Sequence, residues 1–387
     1  MRRIFFLALT VFLAACAPMQ QSVPFSVTPT AEPPLSLTQA YGDDLEALID
    51  LVAEKYGAVG VQVAILERGE LAGSFAWGWA TLEETPMTSD HKLRVASLSK
   101  IPLGIAAMGL AEENTISLTQ DIGAYWGVNT QIKTTLEEIL THTSAVRDFN
   151  ISYSREYAQV KSRLERGGFS GHKPGDMTTW HYNNYAFALL GMTLELVAGE
   201  TVDEILRPLY EAMDIDAAFS GAQLKDPTKI ATLYRTDGTI ARTALQQQTM
   251  TRDLTPGSTG TYFAGGLMCS AKDFGKLLSL LANDGVYEGR QLLTKDAVAY
   301  MEEILETPTP GGSYQAHPMR LWENLYGREK IYFHTGSAYG VYNCASYDPK
   351  TGDGVVVLTT GAKGSKDKYG IYKICAELNG YIYDLLK

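Results

Sequence analysis

The chain is poor in several things that would point to particular chemistries. It has only four cysteines in 387 residues, and no catalytic or metal-binding reading makes use of them. Positive charge is in deficit, with 33 Lys and Arg against 44 Asp and Glu and a formal net charge of −11. A nucleic-acid partner calls for a basic patch, and this balance argues against one. No His-Glu-x-x-His or paired-histidine spacing occurs, no Walker or dinucleotide glycine motif, and no internal repeat. Nothing in the chain calls for a metal or a cofactor. The apolar run Ile4 to Leu13 is too short to span a bilayer as a mature helix.

What is present is the composition of a folded protein, 45% hydrophobic and 20% charged. The length suffices for a large core, in one big domain or two interleaved ones. Arg2 and Arg3 ahead of Ile4 to Leu13 have the build of an export signal. It closes on Leu13-Ala14-Ala15-Cys16, which resembles the bacterial lipoprotein signal, with Cys16 lipidated and residues 1–15 removed. Multiple acyl chains anchor stably where one does not. Residues 16–37 carry five prolines and few large apolar side chains, the composition of a tether. The expected location is therefore the bacterial cell envelope, on the extracytoplasmic side of the membrane.

Residues 38–387 read as the folded domain. Leu45, Leu48, Ile49, Val52 and Tyr56 follow helical spacing up to Gly57. Val59, Val61, Val63 and Ile65 then alternate, Glu67 to Glu70 turn, and Leu71 to Ala80 return as a second strand. Near the other end, Val355 to Leu358 read as a buried strand and Ile371 to Leu385 as an amphipathic closing helix. The middle, roughly 98–235, reads mostly helical. An α+β fold follows, an antiparallel sheet flanked by helices with a mostly helical insert.

Three stretches carry chemistry. In Ser97-Leu98-Ser99-Lys100, a helix beginning at the serine puts the lysine one turn on, on the same face. An unprotonated amine there can take the hydroxyl proton, and helix N-terminal N–H groups can receive developing negative charge. In Trp180-His181-Tyr182-Asn183-Asn184, the connection before an apolar helix offers Tyr182 as a proton shuttle and Asn184 as an amide that holds a carbonyl or the lysine. In His334-Thr335-Gly336-Ser337, glycine in a strand suggests close approach of a ligand or another backbone. A substrate laid along this edge could pair with its main chain. His334 could carry charge near neutral pH or bond as a neutral ring.

Ser97-x-x-Lys100, Tyr182-x-Asn184 and His334-Thr335-Gly336, in that order, resemble the serine penicillin-recognising family: class C β-lactamases, DD-peptidases and related esterases. Leu140 to Ser144, Tyr182 to Gly191 and Ala264 to Leu267 extend the likeness over residues 38–387. The resemblance implies a β-lactamase/transpeptidase-like fold and a Ser97 acyl-enzyme. It implies that Lys100 and Tyr182 manage the proton, that Asn184 orients the substrate amide, and that the Ser97 and Ser337 N–H groups form an oxyanion hole. Thr335 and His334, with Gly336 beside them, would contact the substrate carboxylate or tune the Tyr182–Lys100 pair.

Departures from the family pattern favour one branch. Class C β-lactamases usually carry lysine where His334 stands, and the histidine form is commoner among DD-peptidases, D-amino-acid-specific peptidases and esterases. The expected activity is a D-Ala-D-Ala carboxypeptidase acting on cell-wall peptides. The alternatives are a class C-like β-lactamase, an esterase or D-aminopeptidase of the same fold, and a penicillin-binding sensor that deacylates slowly. The substrate is thus a small peptide, β-lactam or ester, and the protein a monomer held to the membrane by its lipid. Asn183 stands where serine is frequent, Ala145 replaces a glycine, and Pro102 falls early in the first helix. Arg320 and Arg328 are candidates to hold a terminal carboxylate. His142, His172 and His181 read as structural, and Cys344 and Cys375 are placed where a bridge is possible, with buried free thiols the default.

Overall fold

The computed structural model describes residues 37–149, 156–249 and 253–387; the export signal, Cys16 and the tether lie outside them. The first helix, Leu37–Tyr56, buries Leu45, Ile49 and Val52 along one stripe. Gly57 ends it with φ +61°, a left-handed conformation that costs glycine little. The hairpin expected next is β1 (Gly60–Glu67) and β2 (Glu70–Thr81), followed by a short β3 (Thr85–Pro86). The remaining strands come from the far end of the chain: β4 (Tyr314–Gln315), β5 (Arg320–Leu325), β6 (Arg328–Ala338), β7 (Val341–Tyr347) and β8 (Gly354–Thr360).

These eight strands form one antiparallel sheet in the order β4-β5-β6-β7-β8-β1-β2-β3. The two ends of the sequence therefore meet at its centre. Side chains alternate between two apolar cores, which is why all seven residues of β8 are buried. Val61, Val63, Val355 and Val357 face the first helix and the closing helix Lys373–Leu385. Ala64, Leu66, Val356 and Leu358 face the other side, against Phe274, Leu277 and Leu278 of helix Ala271–Ala282. Burial on this scale, at roughly 25 cal/mol per Å² of apolar surface, is what offsets the entropy of ordering the chain.

Between β3 and β4 the chain builds the helical part, with helices Lys100–Glu112, Ile122–Trp126, Leu136–Leu140, Tyr157–Arg166, Asn184–Ala198 and Val202–Ala212. Cys344 and Cys375 share a core but are not bridged. The three described cysteines are free and buried. The Cys375 thiol donates to the Tyr342 carbonyl at 3.3 Å, and Cys344 Sγ accepts from Asn379 Nδ2 at 3.7 Å.

One irregularity of the sheet creates the site. β5 pairs with β6 only up to Arg320 opposite Phe333. From His334 to Ala338, β6 pairs with β7 alone, so its other edge is left open.

Candidate active site

Ser97 does not begin an α-helix as the sequence suggested. It lies in a 3₁₀ turn, Ala96–Ser99, and the α-helix starts at Lys100. The difference improves the expected geometry, because side chains three apart eclipse in a 3₁₀ turn. It also accounts for Pro102, which falls in the first α-turn, where its missing N–H leaves no helical bond unmade. Ala96 has φ +51°, an uncommon value for a residue with a Cβ, so the turn must be held from outside. Three contacts hold it. Val95 N–H donates to Leu267 O at 2.9 Å. The Ser99 hydroxyl donates to Ala96 O at 2.6 Å and accepts from Leu267 N–H at 3.0 Å. Gly336 of β6 lies so close that a Cβ there would fall 2.4 Å from Val95 O and 3.2 Å from Ser97 N.

Lys100 is fully buried. Its Nζ donates to Asn184 Oδ1 at 2.9 Å and to Ala264 O at 2.8 Å, and lies 4.9 Å from the centre of the Tyr182 ring. Burial pushes the Lys100 pKa down, with Tyr182 and then Asp148 opposing. A neutral lysine amine has two N–H donors and one lone pair. With both donors spent on Asn184 and Ala264, the lone pair is left to accept a proton.

Tyr182 lies in the connection, as expected, but Asn184 is already the first residue of helix Asn184–Ala198. Asn183 is its N-cap, and this answers the departure noted in the sequence. Its Oδ1 accepts from Ala186 N–H at 2.8 Å and its Nδ2 donates to Val146 O at 2.7 Å. Asn183 N–H donates to Nδ1 of His142 at 3.1 Å, so that ring nitrogen is an acceptor. The His142 ring lies 4.4 Å from the Tyr182 ring. Burial, then the Lys100 charge, holds the His142 pKa well below its ordinary value. As a neutral ring this histidine, read from sequence as structural, packs against and braces the Tyr182 ring.

His334 is likewise buried, and burial followed by Lys100 and Arg320 keeps it neutral. Its Nδ1 is 2.9 Å from Thr335 O and donates to it. The permanent cation near this edge is Arg320. The side chain is only partly exposed, and its Nε is buried with no hydrogen-bond partner. Its guanidinium carbon lies 4.7 Å from the Phe333 ring centre. Burial lowers its pKa, while Tyr182 opposes. Lys366, which the sequence reading passed over, stands nearby with Nζ 4.8 Å from the Tyr372 ring, its pKa lowered by burial and by Arg320. No acid pairs with Arg320 or Lys366 among the described residues. Arg328, the other arginine candidate, is placed elsewhere. It is paired with Asp353 at 3.0 Å and Asp348 at 3.6 Å and donates to Leu386 O at the end of the chain.

The structure thus brings Ser97, Lys100, Tyr182, Asn184 and the open edge His334–Ser337 together around one turn. Among the described residues, no group of three or more His, Cys, Asp and Glu converges as a metal site. The Beta-lactamase family model matches residues 45–375, most of the chain and every one of these side chains. The chain belongs to the Beta-lactamase family. Solved structures share the fold at under 25% identity. A Pyrococcus abyssi protein described as an octameric penicillin-binding protein homologue superposes with a TM-score of 0.70 at 20% identity, covering 88% of this chain and 77% of that one. A Pseudomonas syringae Beta-Lactamase/D-Alanine Carboxypeptidase gives 0.69 at 18%, over 87% and 98%. The D-aminopeptidase of Brucella anthropi is 26% identical over 172 residues, 42% of this chain and 32% of that protein. The chain spans about half the length of the curated relatives it matches, 47% of one and 60% of another. Family members of this kind are serine hydrolases in general, and the particular activity has to be argued from the site.

Proposed function

We propose that this Beta-lactamase family member is a D-Ala-D-Ala carboxypeptidase acting through a Ser97 acyl-enzyme. Lys100 takes the Ser97 proton as Oγ attacks the substrate carbonyl. The Ser97 and Ser337 N–H groups receive the oxyanion, a contribution worth about 10²–10³ in rate per donor. Tyr182, held by His142 and facing Lys100, passes the proton to the leaving amine, while Asn184 aims the substrate amide. Water then hydrolyses the ester. Positioned proton transfer of this kind contributes about 10²–10⁴-fold.

The observation that carries the reading is Arg320. A half-buried guanidinium whose buried Nε has no partner, with no acid beside it, is costly unless an anion completes it. It lies on the Tyr182 side, where the leaving group departs, so the anion it fits is the leaving residue's own carboxylate. A neutral His334 cannot supply that charge.

The test is release of D-alanine from a peptide ending in D-Ala-D-Ala, beside the same peptide with a C-terminal amide. The free acid is expected to be the better substrate, Ser97→Ala to be inert, and Arg320→Ala to cut kcat/KM for the free acid by roughly 10²-fold. Equal turnover of acid and amide overturns the reading. A penicillin that is hydrolysed with only a fleeting mass adduct, with no peptide turnover, favours the β-lactamase instead. The proposal includes a lipid anchor at Cys16, supported by the Leu13-Ala14-Ala15-Cys16 pattern; Cys16→Ser is expected to leave the membrane fraction.

A further inference from the structure

The open edge of β6 has a second cationic cluster, at the end away from Arg320. Just past Ala338, Tyr339 is exposed in the turn to β7, with φ +53°. Two guanidinium groups share its ring. The Arg94 carbon lies 5.1 Å and the Arg242 carbon 4.6 Å from the ring centre. Arg94 is also 5.6 Å from the Tyr262 ring. Tyr262 has φ +82°, an outlier for a bulky residue, with Gly265 and Gly266 folded back onto its carbonyl. Arg94 is tied down, its Nε donating to Gly265 O at 3.0 Å and its carbonyl accepting from Asn343 Nδ2. Arg242 is partly exposed and makes one long bond, to Ala241 O at 3.4 Å.

No acid pairs with Arg94 or Arg242 among the described residues, and the charge of each opposes that of the other. Two like charges packed on one tyrosine, with no counter-ion from the protein, make a fixed positive potential beside the nucleophile turn. Lys92 and Arg328, by contrast, are paired with acids of the fold, Lys92 with Asp273 and Arg328 with Asp348 and Asp353. Arg94 and Arg242, like Arg320, have no such partner among the described residues.

Position assigns the ligand. Tyr339 is two residues beyond Ser337, about 7 Å along an extended strand. It lies on the side opposite Arg320, and therefore on the acyl side if the leaving group departs past Tyr182. We infer that Arg94, Arg242 and Tyr339 form an acyl-side subsite for a carboxylate carried about two residues before the scissile bond, so that the substrate is a peptide anionic at both ends. This inference takes its direction from the carboxypeptidase reading, but binding tests it without any turnover.

The experiment uses Ser97→Ala, which binds without reacting, and two peptides ending in D-Ala-D-Ala that differ only in Glu or Gln at the residue two before the scissile bond. The Glu peptide is expected to bind at least about tenfold more tightly, with the difference shrinking as salt rises. Adding Arg242→Gln is expected to bring the two affinities together, and Arg242→Lys to keep most of the preference. Equal affinities for Glu and Gln, no measurable binding of either, or a preference that survives Arg242→Gln overturns the subsite. The carboxypeptidase reading fails separately, when the reactive enzyme releases no D-alanine from a peptide that the Ser97→Ala protein binds.

Discussion

Lys100 shows how little of a residue's chemistry belongs to the residue alone. The same side chain on a surface would be a solvated cation; here it is buried, its donors are taken by Asn184 and Ala264, and its pKa falls below 10.5. Lys100→Met is expected to slow Ser97 acylation by about 10²–10⁴-fold, read from the growth of a penicilloyl mass adduct. In the intact enzyme the acylation rate should climb with pH along a limb centred below lysine's ordinary value, because the neutral amine is the working form. The spaced motifs made Ser97, Lys100, Tyr182, Asn184 and His334 legible in the sequence. The fates of Arg320 and Arg328 were not legible. Eight residues separate them on adjacent strands, and only the partners brought from Asp348 and Asp353 make one structural and leave the other unpaired. The contact of His142 with Tyr182 was hidden for the same reason, since it joins residues forty apart.

At the scale of elements, the site depends on how the serine turn meets β6. Gly336 is needed for that approach, since any Cβ would press on Val95 O and the Ser97 amide. Gly336→Ala is expected to cost about 10²-fold or more in kcat/KM by displacing an oxyanion donor, with circular dichroism showing a folded protein. The sequence reading found β1, β2, β8 and the closing helix, because β1 and β8 alternate or run apolar as buried strands do. It placed the helix start at Ser97 because periodicity does not distinguish a 3₁₀ turn from the first turn of an α-helix. It could not see β5 stop short of His334, since that end is set by pairing across the sheet. Arg328 belongs to this scale as well, as a clamp between β6, the turn after β7 and the chain's last carbonyls. Arg328→Met is expected to lower stability by about 3–5 kcal/mol in urea unfolding, because it strands two buried carboxylates, while the folded fraction keeps its activity.

For the whole molecule, buried neutral histidines set the acid limit. His142 and His334 are held well below the ordinary value, and His317 is held at about 4 by burial. Each takes up a proton less readily folded than unfolded. As pH falls below about 6.5 the unfolded chain gains protons that the folded chain refuses, so stability falls. His317 alone loses about 3 kcal/mol between pH 6.5 and 4, and the other two add to the decline. A Tm that stays level from pH 7 to pH 4.5 would contradict this.

The three buried cysteines give the fold a property of another kind. Cys269, Cys344 and Cys375 are free, and burial raises each thiol's pKa, to about 12 for Cys344. Such thiols barely react while the domain is closed. With Cys16 replaced, slow alkylation of the three together would time the rare openings of the whole domain, and Tm should not change when a reductant is added. The described fold holds no disulfide and keeps its three thiols out of reach, so it needs no oxidising step to mature and can be produced where disulfides never form.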